Sequence, residues 1–181
     1  MSSSMARPFK RGLLGGTFDH FHKGHEKLIL NALEKCDFLE IWITSDNIAS
    51  KKIGGVQSFE ERNSFLNEWI KIKSESGELM DAGKDRILTK KLEDKVGPAE
   101  WRTDCDAIIC TIETFPACEK INSTRINSDL HPLNIIKVEH LLTEDGTVLS
   151  SSLIRKGIYT RDGKKWIDES QVSKNLQMPR S

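Results

Sequence analysis

Two histidines three positions apart, His22 and His25, close the stretch Gly15-Gly16-Thr17-Phe18-Asp19-His20-Phe21-His22-Lys23-Gly24-His25. A basic and apolar run, residues 9–14, precedes it, and the amphipathic pattern Leu28, Ile29, Ala32, Leu33 follows. The order therefore reads as strand, glycine-rich turn and helix start. Such a turn binds anions: glycine lets the backbone approach a phosphate, and the unpaired N–H groups and positive dipole end of the helix favour negative charge. Residues three apart share one face of an incipient helical turn, so both imidazoles can address one anion. On spacing alone the histidines could equally form a metal pair or be solvated turn residues.

A second set of phosphate-binding residue types lies late in the chain, in Thr147-Val148-Leu149-Ser150-Ser151-Ser152-Leu153-Ile154-Arg155-Lys156-Gly157. Serines at a helix start offer hydroxyl and backbone donors to phosphate oxygens, and Arg155, one turn on, can fork onto the same oxygens. Alone, this run is also what a serine N-cap and a solvated arginine look like. Together the two stretches resemble the HxGH nucleotidyltransferase superfamily, with Gly-Thr-Phe-Asp before His-x-Gly-His and a counterpart of Ile-Ser-Ser-Thr-x-Ile-Arg. Leu149 and Ser152 stand where that second motif usually has Ile and Thr, and Ser152 keeps the hydroxyl.

The middle of the chain narrows the resemblance. Ser50-Lys51-Lys52 followed by Ser58-Phe59-Glu60-Glu61-Arg62 is similar to the lysine loop and Phe-Glu-Glu-Arg helix of phosphopantetheine adenylyltransferases. Leu92-Glu93-Asp94, Gly97-Pro98-Ala99, Glu113-Thr114 and Asn122 with Arg125 resemble the archaeal and eukaryotic type. The similarity spans about residues 8–160. Ile112, where many relatives carry Glu, and Gly54-Gly55 in the lysine loop depart from the pattern, and the bacterial pantetheine-pocket arginine motif is not evident. The sequence contains no P-loop, so a stand-alone enzyme of archaeal type is expected.

The resemblance implies transfer of AMP from ATP to 4′-phosphopantetheine, giving dephospho-CoA and pyrophosphate. An ionised phosphate needs no general base to attack, so catalysis reduces to in-line positioning and charge stabilisation. His25 is then the main donor to the α-phosphate, and His22 steadies the triphosphate and the turn. Gly16, Thr17 and Phe18 belong to the ATP-binding turn. Thr17 and Lys51 hold the acceptor's phosphate, with Lys52 the substitute if the loop register differs by one. Ser150, Ser151, Ser152 and Arg155 take the β- and γ-phosphates, while Glu113 and Arg125 border the nucleotide or acceptor site. Mg²⁺ is expected on the nucleotide and not in a protein site of its own, since no carboxylate cluster is visible. Other readings are a nicotinamide-mononucleotide adenylyltransferase or cytidylyltransferase, a silent nucleotide- or CoA-binding regulator, and a metal protein using His20, His22 and His25.

The elements that must position these residues alternate between strand and helix. Strands are expected at 9–14, 38–44, 86–89, 106–111 and 133–138. Between them, Ser58 to Glu61 has capping-box spacing and opens a helix with apolar residues Phe65, Leu66, Trp69, Ile70 and Ile72; another helix is expected over 117–127. Alternation of this kind predicts an α/β, Rossmann-like, doubly wound parallel sheet, with ligands at the carboxyl ends of its strands.

The 181 residues suit a single domain, 1–181, with a core over about 8–160 and a frayed polar tail over 171–181. Lys plus Arg and Asp plus Glu balance at 27 each, which gives no electrostatic reason for nucleic acid or a membrane as partner. With neither a signal-like start nor an apolar run of membrane length, a cytoplasmic enzyme is expected. The four cysteines form no Cys-x-x-Cys pair and read as reduced packing residues. Oligomeric state and the contacts of the pantetheine arm leave no trace in the sequence.

Overall fold

A computed structural model describes residues 6–51, 55–79, 83–95 and 97–166. Lys52 and the tail 171–181 lie outside the described residues. Five strands, β1 (Phe9–Gly16), β2 (Cys36–Thr44), β3 (Ile87–Leu92), β4 (Ala107–Cys110) and β5 (Asn134–Lys137), form one sheet in the order β3-β2-β1-β4-β5. Every pairing is parallel. The helices are α1 (Lys23–Lys35), α2 (Asp46–Ala49), α3 (Phe59–Glu75), α4 (Gly83–Arg86), α5 (Phe115–Asn127) and α6 (Ser151–Arg155), with a 3₁₀ turn at Gly97–Glu100. The expected doubly wound α/β sheet is thus observed. Strand β1 runs two residues further than its composition suggested, through Gly15 and Gly16, so the turn itself begins at Thr17.

Alternation along the strands builds two cores. Leu14, Leu39, Ile41, Ile43 and Ile109 meet Ile29, Ala32 and Leu33 of α1 and Leu66 and Ile70 of α3 on one face. Leu13, Ile108 and Cys110 meet Ala99 and the α5 residues Cys118 and Ile121 on the other. The four cysteines are free and buried, and burial pushes the Cys36 thiol up to about 11 and that of Cys118 up to about 12. They are inert packing groups.

The capping box of α3 forms as expected: Ser58 Oγ accepts from the Glu61 N–H at 3.2 Å, and the Ser58 N–H donates to Glu61 Oε2 at 2.9 Å. Its apolar face differs from expectation. Leu66 and Ile70 are buried, but Phe65 and Ile72 are exposed, at 43% and 53%. The inward stripe is instead Arg62, Leu66 and Ile70 at a four-residue spacing, and Phe65 lies under the Arg161 guanidinium, 4.6 Å from its ring centre.

Chain order fixes where a ligand can sit. From β1 the chain winds outward to β2 and β3, then crosses back to β4 and β5 on the other side of β1. The winding reverses between β1 and β4, and the adjoining connections leave a crevice at the carboxyl ends of those strands.

Candidate active site

A cleft of about 300 Å³ occupies that crevice, lined by residues 14–19 at the end of β1, the α1 N-cap His22, Gly24, His25 and Leu28 of α1, residues 109–111, 113 and 114, residues 139–141 and residues 148–152 with Arg155. The two sequence motifs therefore meet in one place.

The β1–α1 turn has unusual backbone geometry with evident causes. Phe18 (φ 55°) and His20 (φ 43°) occupy the left-handed region, which reverses the chain within a few residues. Phe18 is buried beside Gly16, where a Cβ would stand 2.9 Å from the Phe18 ring, so glycine is the residue that fits. The carboxylate of Asp19 and the side chain of Gln57 pin the turn: the Gln57 N–H donates to Asp19 Oδ1 at 2.8 Å, and the His20 N–H donates to Gln57 Oε1 at 2.8 Å.

His22 is the N-cap of α1. Its Nδ1 accepts the Gly24 N–H at 3.0 Å, while the His22 N–H donates to Nδ1 of His25 at 3.2 Å. A backbone N–H can only donate, so both Nδ1 atoms are unprotonated, and in the neutral rings the proton sits on Nε2. The rings stack with centroids 3.8 Å apart, and His25 also packs against Phe21 and Phe18. Burial, reinforced by the Arg161 cation, lowers the pKa of His22 to about 4, with Asp19 opposing. The pair therefore offers neutral Nε2–H donors at the N-terminus of a 13-residue helix, whose dipole favours an anion there.

The second motif docks onto this turn. Ser150 caps α6, with its Oγ accepting the Leu153 N–H at 3.4 Å, and Ser151 Oγ donates to the Asp19 carbonyl at 2.6 Å. Arg155 donates to the Asp19 carboxylate through Nη1 and to Ser152 Oγ through Nη2 at 3.1 Å.

The remaining assignments divide. Glu113 lines the cleft with its side chain 78% exposed. Lys51 is exposed in the turn after α2, beyond the carboxyl end of β2, and is not among the lining residues. Arg125 is a correction: it is buried away from the cleft and donates to the carbonyls of His131, Ala99 and Arg102 at 2.7–2.8 Å. Its charge serves backbone carbonyls, so it clamps α5 to the 3₁₀ segment.

Sequence reasoning gave no role to Asp19, Arg62, Gln57 or His140. Arg62 is fully buried and donates to the carbonyls of Gln57, Thr17 and Thr44 at 2.8–2.9 Å, which fixes the ends of β1 and β2 against α3. Asp19 and Arg62 stand inside the quoted motifs, so the signal for them was present. Gln57 and His140 carry none.

An all-parallel sheet with two histidines and a serine-rich helix start meeting at its switch point defines a protein of the nucleotidyltransferase fold. The profile of the cytidylyltransferase-like family matches residues 13–157, and the chain belongs to that family and, within it, to the phosphopantetheine adenylyltransferases. It is 38% identical over 153 residues to phosphopantetheine adenylyltransferase of Methanosarcina barkeri, covering 83% of this chain and 89% of that protein. The corresponding protein of Methanosarcina acetivorans is 35% identical, with 83% and 92% covered. Among solved structures, a bifunctional NMN adenylyltransferase/ADP ribose pyrophosphatase from Francisella tularensis, complexed with AMP and a manganese ion, shares the fold. Its TM-score is 0.55 at 16% identity, over 94% of this chain and 50% of that one. Among the described residues no helix is long and apolar enough to cross a membrane.

Proposed function

We propose that this chain transfers AMP from ATP to 4′-phosphopantetheine, releasing pyrophosphate and giving dephospho-CoA. The observation that carries the reading is the convergence of His22, His25, Thr17 and residues 150–152 on one cleft at the β1/β4 switch point. The acceptor's phosphate oxygen attacks the α-phosphorus as the bond to the bridging oxygen of the departing pyrophosphate breaks. Attacker and leaving group are both anions, so what the protein must supply is alignment and positive potential.

His25 supplies an Nε2–H donor to the α-phosphate, and His22 supports it by holding its orientation and by donating to the triphosphate. The Gly16–Phe18 turn lets the backbone approach the phosphates. Serines 150, 151 and 152 and Arg155 receive the β- and γ-phosphates. Thr17 and Lys51 hold the acceptor's phosphate on the β2 side, and Glu113 borders the nucleoside.

Among the described residues no group of three or more potential ligands could hold a resident ion. Asp19, the innermost carboxylate of the cleft, is committed to Arg155 and to the Gln57 N–H. On this reading Mg²⁺ would arrive with the nucleotide, where it would neutralise phosphate charge. Balanced charge and the soluble nature of both substrates suit a cytoplasmic enzyme with no nucleic-acid partner.

Pyrophosphate release with ATP and Mg²⁺ tests the proposal, with 4′-phosphopantetheine, nicotinamide mononucleotide and glycerol 3-phosphate compared as acceptors. Release with phosphopantetheine alone is expected, and silence on chelation of Mg²⁺. Release with another acceptor only would replace the substrate; silence with all three, alongside measurable ATP binding, would leave a nucleotide-binding regulator.

A further inference from the structure

Thr17 and Thr44 stand side by side at the carboxyl ends of β1 and β2. Gly16 and Ile43 are partners in the parallel ladder, and each threonine is the next residue along. Thr44 ends β2 and is buried; Thr17 is half-buried and lines the cleft, which Thr44 does not. Thr44 Oγ1 donates to Thr17 Oγ1 at 3.2 Å.

The direction of that bond has a cause. Arg62 donates through Nη1 to the carbonyls of Thr17 and Thr44 at 2.8 Å each, which leaves the same nitrogen 3.4 Å from Thr44 Oγ1. A guanidinium has no acceptor atom and keeps its charge, so the Thr44 hydroxyl presents its oxygen to Arg62 and turns its hydrogen elsewhere. That hydrogen goes to Thr17 Oγ1. Thr17 is thereby used as an acceptor, and its own hydroxyl hydrogen meets no acceptor among the described residues.

A hydroxyl free to turn would offer a phosphate a lone pair as readily as a hydrogen. Above its second pKa of about 6, a phosphate monoester carries acceptor atoms only, and a lone pair facing it repels. Fixing Thr17 as a donor before the ligand arrives removes the wrong orientation. The buried charge of Arg62 polarises the two hydroxyls in the same sense.

Resting on the reading that Thr17 holds the acceptor's phosphate, we propose that Thr44 is a positioning residue for the acceptor. Backed by Arg62, it occupies the acceptor side of the Thr17 hydroxyl and turns that hydroxyl's hydrogen to the phosphate.

Thr44→Val keeps the side-chain shape and removes the hydroxyl, while the Arg62 bonds to both carbonyls stay in place. The test is a cycle of Thr44→Val and Thr17→Val in the full chain. Calorimetry reads the affinities for ATP and for 4′-phosphopantetheine, nicotinamide mononucleotide and glycerol 3-phosphate. Thr44→Val should weaken the acceptor roughly fivefold and leave ATP binding unchanged, because His22, His25 and residues 150–152 are untouched. Thr44→Ser, which keeps the hydroxyl, should restore acceptor affinity. In the Thr17→Val background, Thr44→Val should cost nothing further. An equal loss in both backgrounds would make Thr44 a structural residue only and overturn the proposal, as would wild-type acceptor affinity in Thr44→Val. Thr44→Ala removes the same hydroxyl and gives the same reading if the valine variant does not fold. Binding of another acceptor in place of phosphopantetheine would refute the proposed substrate, with the Thr44 coupling then read on that acceptor. Binding of none would overturn both readings.

Discussion

Arg155 and Asp19, 136 positions apart in the chain, form an ion pair at the floor of the cleft, with side chains 12% and 2% exposed. The pair fastens α6 to the β1–α1 turn and holds the arginine over the phosphate region before any ligand arrives. Removing one partner of a buried pair leaves an uncompensated charge, which costs about 3–5 kcal/mol. Arg155→Ala should therefore lower the unfolding free energy by roughly 3 kcal/mol, measured by urea denaturation. The double variant Asp19→Asn/Arg155→Ala should be no less stable than Arg155→Ala alone, because the stranded charge is gone. An Arg155→Ala protein as stable as the wild type would show that the pair contributes nothing to holding the motifs together.

His25 is placed to act on charge that develops at the α-phosphate, an interaction stronger in the transition state than in the ground state. His25→Ala should depress kcat by roughly 10²-fold or more while leaving ATP binding within about tenfold. Steady-state kinetics beside calorimetry separates the two effects. Normal turnover would remove His25 from the chemistry.

His22 gives stability a pH dependence of known sign. Its folded pKa of about 4 lies below the ordinary 6.5, so the unfolded chain takes up a proton first as pH falls. The contribution is complete above pH 6.5 and declines by about 1.4 kcal/mol per pH unit towards pH 4, roughly 3 kcal/mol in all. Asparagine can also cap a helix, so His22→Asn should fold and lack this slope. Unfolding free energies of the two proteins at several pH values between 4 and 7 should converge as the pH falls; parallel curves would contradict a buried neutral His22.

These sites differ in how far the sequence disclosed them. The β1–α1 turn was legible because glycine, histidine and helix periodicity each point to the same local structure. Arg62 was not, since periodicity counts apolar residues and α3 buries a guanidinium in the stripe where a third apolar group would stand. Arg125 was misread for a related reason. Its acceptors are backbone carbonyls distant in sequence, and no residue type reports where a carbonyl will point. Asp19 was visible as a motif letter, but its partner Arg155 emerges only when the fold joins the two motifs.

Gly24 separates helix stability from active-site geometry. It is the second residue of α1, where alanine is the better helix former by up to about 1 kcal/mol. A Cβ at this position would lie 2.7 Å from Cε1 and 2.9 Å from Nδ1 of His22, so the ring must swing away and its bond to the Gly24 N–H must break. His25 stacks on that ring and would lose its support. Gly24→Ala should thus keep its melting temperature within a few degrees of wild type, helix propensity offsetting the lost cap. Turnover should nevertheless fall roughly tenfold or more, since misplacement by an ångström is enough to slow an aligned reaction. Activity equal to wild type in a folded Gly24→Ala protein would mean that the stacked arrangement of the two histidines is not what the reaction requires.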